Sequence, residues 1–272
     1  MKRVSLHVLV LLCFCLQSAG GSELIYPVAT PHSRLEYVFA AELDDDLYSG
    51  DLVLSGEYAP CDCFSVYLDG SYRLLSYSYE YSSKGYVHNY AKLHVNGLNE
   101  TYLGVKMMAF RNFGVNAGWR FPPREGSQKE RFHRLNVEPF VVLDLSRNLE
   151  LGASFRYDTF LERKLYKPGD ELGLRASIVW KPLMEPGEVS GWTFSETVLF
   201  QTRIQESENR GLDKPYRQMD DIYQGFKMKF TAMRFLDFLK VPFGVGLNYE
   251  LQRGTLFGFE TGHRIGIVLR AN

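Results

Sequence analysis

The chain has 272 residues, a formal net charge of −1 and 45% hydrophobic residues, enough apolar material for a folded domain with neither sign of charge in excess. That balance excludes a bulk electrostatic attraction to nucleic acid, and no nucleic-acid partner is expected. An aromatic share of 14%, carried mainly by 17 Tyr and 19 Phe, together with 24 Gly, describes a β-rich chain with tight turns or closely packed strands.

The N-terminus reads Met1-Lys2-Arg3, then an apolar run from Val8 to Leu16, then Gln17-Ser18-Ala19-Gly20. A basic start, a short apolar stretch and small residues make residues 1–20 a secretory signal, cleaved before Gly21. Cys13 and Cys15 leave with it, and neither sits in a lipoprotein pattern. Residues 21–33 form a short N-terminal segment, and a single domain follows over 34–272. Past residue 20 no apolar stretch reaches helical spanning length. The mature chain keeps Cys61 and Cys63. Their spacing allows a local disulfide, a redox-active thiol pair, or two turn cysteines without chemistry.

From residue 34 onward one pattern repeats: segments of about ten residues alternate apolar with polar or small side chains, which places the two sets on opposite faces of an extended strand. In chain order the segments are 34–43, 49–58, 64–80, a long one at 89–109, and 113–121. Next come 132–143 (Leu135, Val137, Val141, Leu143), 149–160 (Leu149, Leu151, Ala153, Phe155, Tyr157) and 171–181, where Leu172, Leu174, Ala176, Ile178 and Trp180 oppose Gly173, Arg175, Ser177 and Lys181. The series continues with 191–205 (Trp192, Phe194, Val198, Phe200, Ile204) and 220–233 (Ile222, Phe226, Met228, Phe230). It closes with 241–252, where Val241, Phe243, Val245, Leu247, Tyr249 and Leu251 share a face, and 257–270, where Phe257, Phe259, Ile265, Ile267 and Leu269 do. This makes about twelve strands, within a range of about ten to fourteen, and an even number suits a closed antiparallel ring.

The connections alternate in length. Short ones fall at 59–63, 110–112, 144–148, 182–190 and 234–240, and longer, more polar ones at 81–88, 122–131, 161–170 and 206–219; the links at 44–48 and 253–256 are brief. Alternation alone serves two architectures. In a soluble sandwich or barrel the apolar face points inward, whereas in a membrane barrel it meets lipid and the polar face lines the lumen. Strands longer than the usual five or six or so residues, the export signal, and aromatics near strand ends (Tyr37, Tyr58, Trp119, Phe121, Tyr157, Trp180, Trp192, Tyr249) favour the membrane solution.

On this dyad pattern, and on Gly-Val-Lys-Met-Met-Ala-Phe-Arg-Asn-Phe-Gly-Val-Asn-Ala-Gly-Trp-Arg at 104–120, which reads as strand, tight turn and strand, the chain from about residue 34 resembles the outer-membrane β-barrel proteins of Gram-negative bacteria. The resemblance implies an all-β, up-and-down antiparallel transmembrane barrel, integral to the outer membrane, with residues 21–33 and both termini in the periplasm. It also implies contact with outer-membrane lipid and lipopolysaccharide, and handling by periplasmic chaperones and the insertion machinery. Such proteins usually end on Phe or Trp, whereas this chain ends Leu269-Arg270-Ala271-Asn272.

If the apolar faces meet lipid, the opposite faces bring a mixed set of charges into the lumen: Lys106, Arg120, Glu138, Arg156, Arg175, Lys181, Arg203, Lys227, Lys229, Glu250, Glu260 and Arg264, with Glu36, Glu57, Asp69, Arg73, Glu150, Asp158 and Arg270 beside them. Rings of Arg and Lys would favour anions in a pore; paired with the carboxylates they would form a salt-bridged, closed interior. Glycines on the same faces (Gly104, Gly114, Gly118, Gly173, Gly225, Gly244, Gly246, Gly266) are expected to leave space. The function expected is therefore a passive channel for small polar or anionic solutes. The alternatives are a closed structural or surface-binding barrel and a secreted soluble all-β binding protein.

No complete catalytic constellation appears. His94-Val95-Asn96-Gly97 has the outline of an outer-membrane phospholipase motif without its serine nucleophile. Asp44-Asp45-Asp46, Asp220-Asp221 and His88 supply the residue types of a water-activating protease rim but read as solvated loop charges. His133 and His263 stand alone, without zinc-ligand spacing. No cofactor is expected.

Overall fold

A computed structural model of the chain describes residues 26–44, 47–80, 90–94, 97–121, 132–162, 166–182, 191–205, 208–209, 224–238, 241–254 and 259–272. The expected signal at 1–20 lies outside the described residues, as do His88 and Asp220-Asp221. The strands are β1 (Arg34–Asp44), β2 (Leu47–Cys61), β3 (Phe64–Glu80), β4 (Tyr90–His94), β5 (Gly97–Phe110), β6 (Phe113–Phe121), β7 (Arg134–Ser146) and β8 (Leu149–Phe160). They continue as β9 (Tyr166–Lys167), β10 (Glu171–Trp180), β11 (Gly191–Arg203), β12 (Glu208–Asn209), β13 (Gln224–Phe238), β14 (Val241–Gly254) and β15 (Phe259–Ala271).

Each long strand pairs antiparallel with its neighbours in sequence, and β1 pairs with β15 from Leu35 opposite Ala271 to Asp44 opposite Gly262. The first and last strands therefore close the sheet on itself, which removes the unpaired edges that a spanning sheet could not leave in lipid. β4 and β5 both pair with β3 and occupy one place in the ring, so the barrel has twelve strands. β9 and β12 form a separate two-stranded ribbon, Lys167 opposite Glu208.

The strands follow the alternation read from sequence, with local differences. The long segment expected over 89–109 is divided between β4 and β5. β3 carries an irregularity between Gly70 and Tyr72. The turn expected at 234–240 is mostly strand, because β13 continues to Phe238 with Phe235 buried and Leu236 exposed, extending the dyad. Connections are tight at 62–63, 111–112 and 147–148, and this end of the barrel also holds the start of β1 and the end of β15.

Which face points out is now fixed. Leu103, Leu135, Val137, Phe155, Leu174, Phe200, Phe230, Leu247 and Ile267 are exposed, whereas Glu36, Asp158, Glu171, Gln201 and Lys227 are at most 1% exposed. A soluble barrel has the reverse arrangement. This inversion corrects the soluble all-β alternative: the apolar band is too extensive for water and matches the lipid-facing wall of a membrane barrel. Aromatics gather at both ends of that band. At the tight-turn end Trp180 and Trp192 pack on Phe194; at the loop end Trp119 stacks on Phe121 with ring centroids 4.9 Å apart, and His133 lies edge-on to both.

Candidate functional site in the barrel interior

The dyad turns alternate residues of every strand inward, so a charge ring arises wherever neighbouring strands carry polar side chains at inward positions. Of the residues expected in the lumen, Lys106, Arg120, Glu138, Arg156, Lys227, Lys229, Glu250 and Arg264 are buried, and Arg175, Lys181 and Arg203 are half-buried. The side chains of Glu260, Arg73 and His94 lie outside the described residues. Sequence reasoning passed over Arg34, Asp51, Arg134, Asn136, Glu171 and Gln201, which share this interior. Arg134 and Asn136 stand four and two residues before Glu138, on its own face of β7, so the alternation already pointed to them.

Three groups organise the wall. At the loop end, Arg120 and Arg134 lie directly opposite each other, as do Asp158 and Glu171. Like charges facing across a pair are unfavourable. The structure interleaves the two signs: Arg156 contacts Asp158 at 2.7 Å, Arg134 lies 3.9 Å from both Asp158 and Glu171, and Arg203 is 3.7 Å from Glu171. The Gln201 amide donates to Glu171 at 2.8 Å and to Asp158 at 3.2 Å. Nearby, burial alone would raise the Asp170 carboxyl, but donors from Tyr157, Thr159 and Lys167 hold it below the usual carboxylate range.

Midway down, Arg175 pairs with Glu138, which also accepts from the Ser154 hydroxyl. Across the barrel, Glu57 takes Lys106 Nζ at 2.8 Å, Ser65 at 2.6 Å and Arg34 at 3.4 Å, and Arg270 pairs with Glu36. Lys227 meets Glu250 at 3.3 Å and Arg264 meets Asp51 at 3.0 Å. Between these groups the Tyr67 hydroxyl donates to Tyr102 at 2.7 Å, and the Tyr102 hydroxyl donates to Asn136 Oδ1 at 2.6 Å, with the Arg120 guanidinium 4.8 Å from the centre of the Tyr102 ring.

The glycines do not leave the open space expected of them. A Cβ on Gly104 would come within 2.6 Å of the Tyr67 ring, one on Gly118 within 2.3 Å of Tyr102, and one on Gly114 within 2.4 Å of Phe140. Large side chains of adjoining strands fill those places, so the glycines serve as seats for aromatic rings.

Residues 26–33, expected in the periplasm, pack within the wall. Tyr26 and Val28 are buried. Val28 clusters with Phe140 and Val142, and its N–H donates to Ser177 Oγ at 2.9 Å. The Tyr26 carbonyl accepts from Arg175 Nη1 at 3.1 Å, and its ring lies 4.4 Å from the Arg34 guanidinium and 4.7 Å from Lys229 Nζ. Burial, then the neighbouring Asp69 and Glu36, push the Tyr26 hydroxyl well above its ordinary range, keeping it neutral. Burial, aided by Arg34 and Lys106 and opposed by Glu57 and the Thr30 carbonyl, lowers His32 to about 4.

Among the described residues no cluster of His, Cys, Asp and Glu is placed to hold a metal ion. His133 accepts from Trp119 Nε1 at 3.1 Å and His263 lies 2.8 Å from the Tyr249 hydroxyl, both on the outer face. Cys61 and Cys63 are joined by a disulfide at the β2–β3 turn, with Cα atoms 5.3 Å apart.

The chain is similar in structure to an outer membrane channel from Pseudomonas putida F1, with a TM-score of 0.56 and 9% identity over 93% of this chain and 99% of that one. It is similar also to the NanC porin, with a TM-score of 0.52 and 8% identity over 88% of this chain and 99% of that one. The chain has the fold of outer-membrane β-barrels. No protein-family model matches it, and no curated protein matches it in sequence. At such identities the likeness extends to the barrel and not to particular lumen residues, whose roles rest on their own geometry.

Proposed function

We propose that this outer-membrane barrel is a non-enzymatic, passive channel for small polar or anionic solutes. The observation that carries the reading is the lumen wall formed by β5 to β11: Lys106, Arg120, Arg134, Arg156, Arg175 and Arg203 recur on six strands, against the buried Glu138, Asp158 and Glu171 and the half-buried Glu150. Cations that outnumber carboxylates along one side of a low-dielectric passage attract anions and pass them between successive sites. The hydrogen-bonded Tyr67, Tyr102 and Asn136 add hydroxyl and amide groups for neutral polar parts of a solute.

The start of β1 and the end of β15 lie at the tight-turn end, and outer-membrane barrels place short turns in the periplasm. The orientation proposed is therefore termini and the Cys61–Cys63 turn in the periplasm, with the longer connections outside. The exposed apolar band supports contact with outer-membrane lipid and, at the outer rim, lipopolysaccharide, after delivery by periplasmic chaperones and the insertion machinery. A second reading, a closed structural or surface-binding barrel, is favoured by the interior ion pairs and by the packed segment at 26–33. Single-channel recording in planar bilayers separates the two. Discrete conductance steps with an anion-favouring reversal potential support the channel, and silence across salts and voltages supports the closed barrel.

A further inference from the structure

Residues 26–33 carry no strand pairing, yet they reach across the passage. At β1 and β2 the His32 N–H donates to Glu57 Oε1 at 3.4 Å. On the far wall, Val28 contacts β7, β8 and β10 through Phe140, Val142, Gly152 and Ser177. In the order of the ring, β10 stands five places from β1 in a barrel of twelve, so the segment crosses nearly the full width. Beside it remains a polar cavity of about 60 Å³ between Tyr26, Pro27, Val28 and Ala29 on one side and wall residues including Tyr102 and Arg120 on the other. That volume holds a few water molecules, and pockets for small organic solutes run to about 300 Å³ or more.

The contacts that hold the segment differ in kind from those of the barrel. The wall is a continuous antiparallel ladder; the segment has isolated hydrogen bonds, two cations over one ring and the apolar side chain of Val28. Elements held by few, local contacts open while the remainder of a fold stays closed. Withdrawal would leave the ladder intact and uncover Arg34, Arg175 and Lys229 together. Arg175 would keep its partner Glu138 and turn its remaining N–H groups to the passage.

Resting on the channel reading above, we infer that residues 26–33 are a gate: a strap that closes the solute path when docked and, on release, opens it and presents three cations to the passing solute. The Tyr26 carbonyl, held by Arg175, then occupies the place that an oxygen of an anionic solute takes when the strap is out.

The test is single-channel recording in planar bilayers on the full mature chain and three variants, each shown to be inserted by heat-modifiable migration. A chain that begins at Ser33, and the full-length variant Val28→Asp, which puts a charge in the apolar seat, are expected to show severalfold more open time than the full chain. The double variant Val28→Cys with Ser177→Cys, oxidised, is expected to lose its openings and to regain them on reduction, with the single variants as controls. Equal conduction by all four overturns the gate and leaves the channel standing. Silence of the inserted Ser33 chain and of Val28→Asp overturns the gate and the channel together. Should the Ser33 chain fail to insert, Val28→Asp and the cross-linked pair decide: openings unchanged in both overturn the gate.

Discussion

Val28 occupies the place that a side chain at position 152 would need: a Cβ built on Gly152 lies 2.6 Å from the Val28 Cβ and 2.8 Å from its carbonyl oxygen. The glycine is therefore a seat for the N-terminal segment, on a strand whose outward residues, Ala153 and Phe155, are untouched by it. Gly152→Leu should displace the segment while leaving the barrel ladder intact. The expected result is faster proteolytic cleavage within 26–33 of the folded protein, with unchanged heat-modifiable migration. A segment equally protected in the variant would show that its docking does not depend on this seat.

A second prediction concerns the hydroxyl relay from Tyr67 through Tyr102 to Asn136. Tyr102→Phe removes the acceptor of Tyr67 and the donor to Asn136 in a buried site. A buried polar group left without a partner costs about 1–3 kcal/mol. Urea unfolding of the barrel in lipid vesicles should register a loss of that order, and Tyr67→Phe, which leaves the Tyr102–Asn136 bond in place, should lose less.

The pH response of the segment follows from His32, held near 4 in the folded chain by burial first and by Arg34 and Lys106 around it, against the opposing pull of Glu57 and the Thr30 carbonyl. The unfolded value is about 6.5. A group whose value is depressed on folding binds more protons when released, so docking is fully stable above about 6.5 and is lost progressively as pH falls towards 4. Protease accessibility of residues 26–33 should rise over that window, and His32→Gln should flatten the rise.

The outward apolar face makes its own prediction. Leu247 lies midway along β14 and is 61% exposed on the outer wall. Leu247→Arg should destabilise the barrel in vesicles by about 2–4 kcal/mol, the cost of a cation near the bilayer midplane. The same substitution at Asn248, which points inward, should cost less because charged residues already line that face. Equal effects at the two positions would contradict the assignment of faces.

The barrel was legible in the sequence because its defining feature is local. Strict alternation, as in Leu172 to Lys181, reports a strand whatever packs against it, and the spacing of turns gives the count. The direction of the faces was not legible, since Leu174 and Arg175 exchange inside and outside without any change in pattern. Three interior features lay further from reach. Arg134 and Asn136 could have been taken from the parity of Glu138, but Asp51 shares its face with the buried Val53, which breaks the polar run. The glycines looked like empty space because the rings that fill them, such as Tyr102 over Gly118, come from the neighbouring strand through its register. The docking of Tyr26 and Val28 depends on contacts nearly 150 residues away at Arg175 and Ser177, and an eight-residue stretch without periodicity carries no sign of them.

Whether the lumen is a path for anions is measured most directly by the reversal potential of single channels across a salt gradient, for the natural chain and for Arg175→Glu combined with Arg203→Glu. The natural chain should favour anions, and the double variant should lose or reverse that preference because two cations of the wall become carboxylates. Conductance with the same selectivity in both would mean that these residues do not face the passing ion, and a natural chain that never conducts, with its strap removed or in place, would contradict the channel itself.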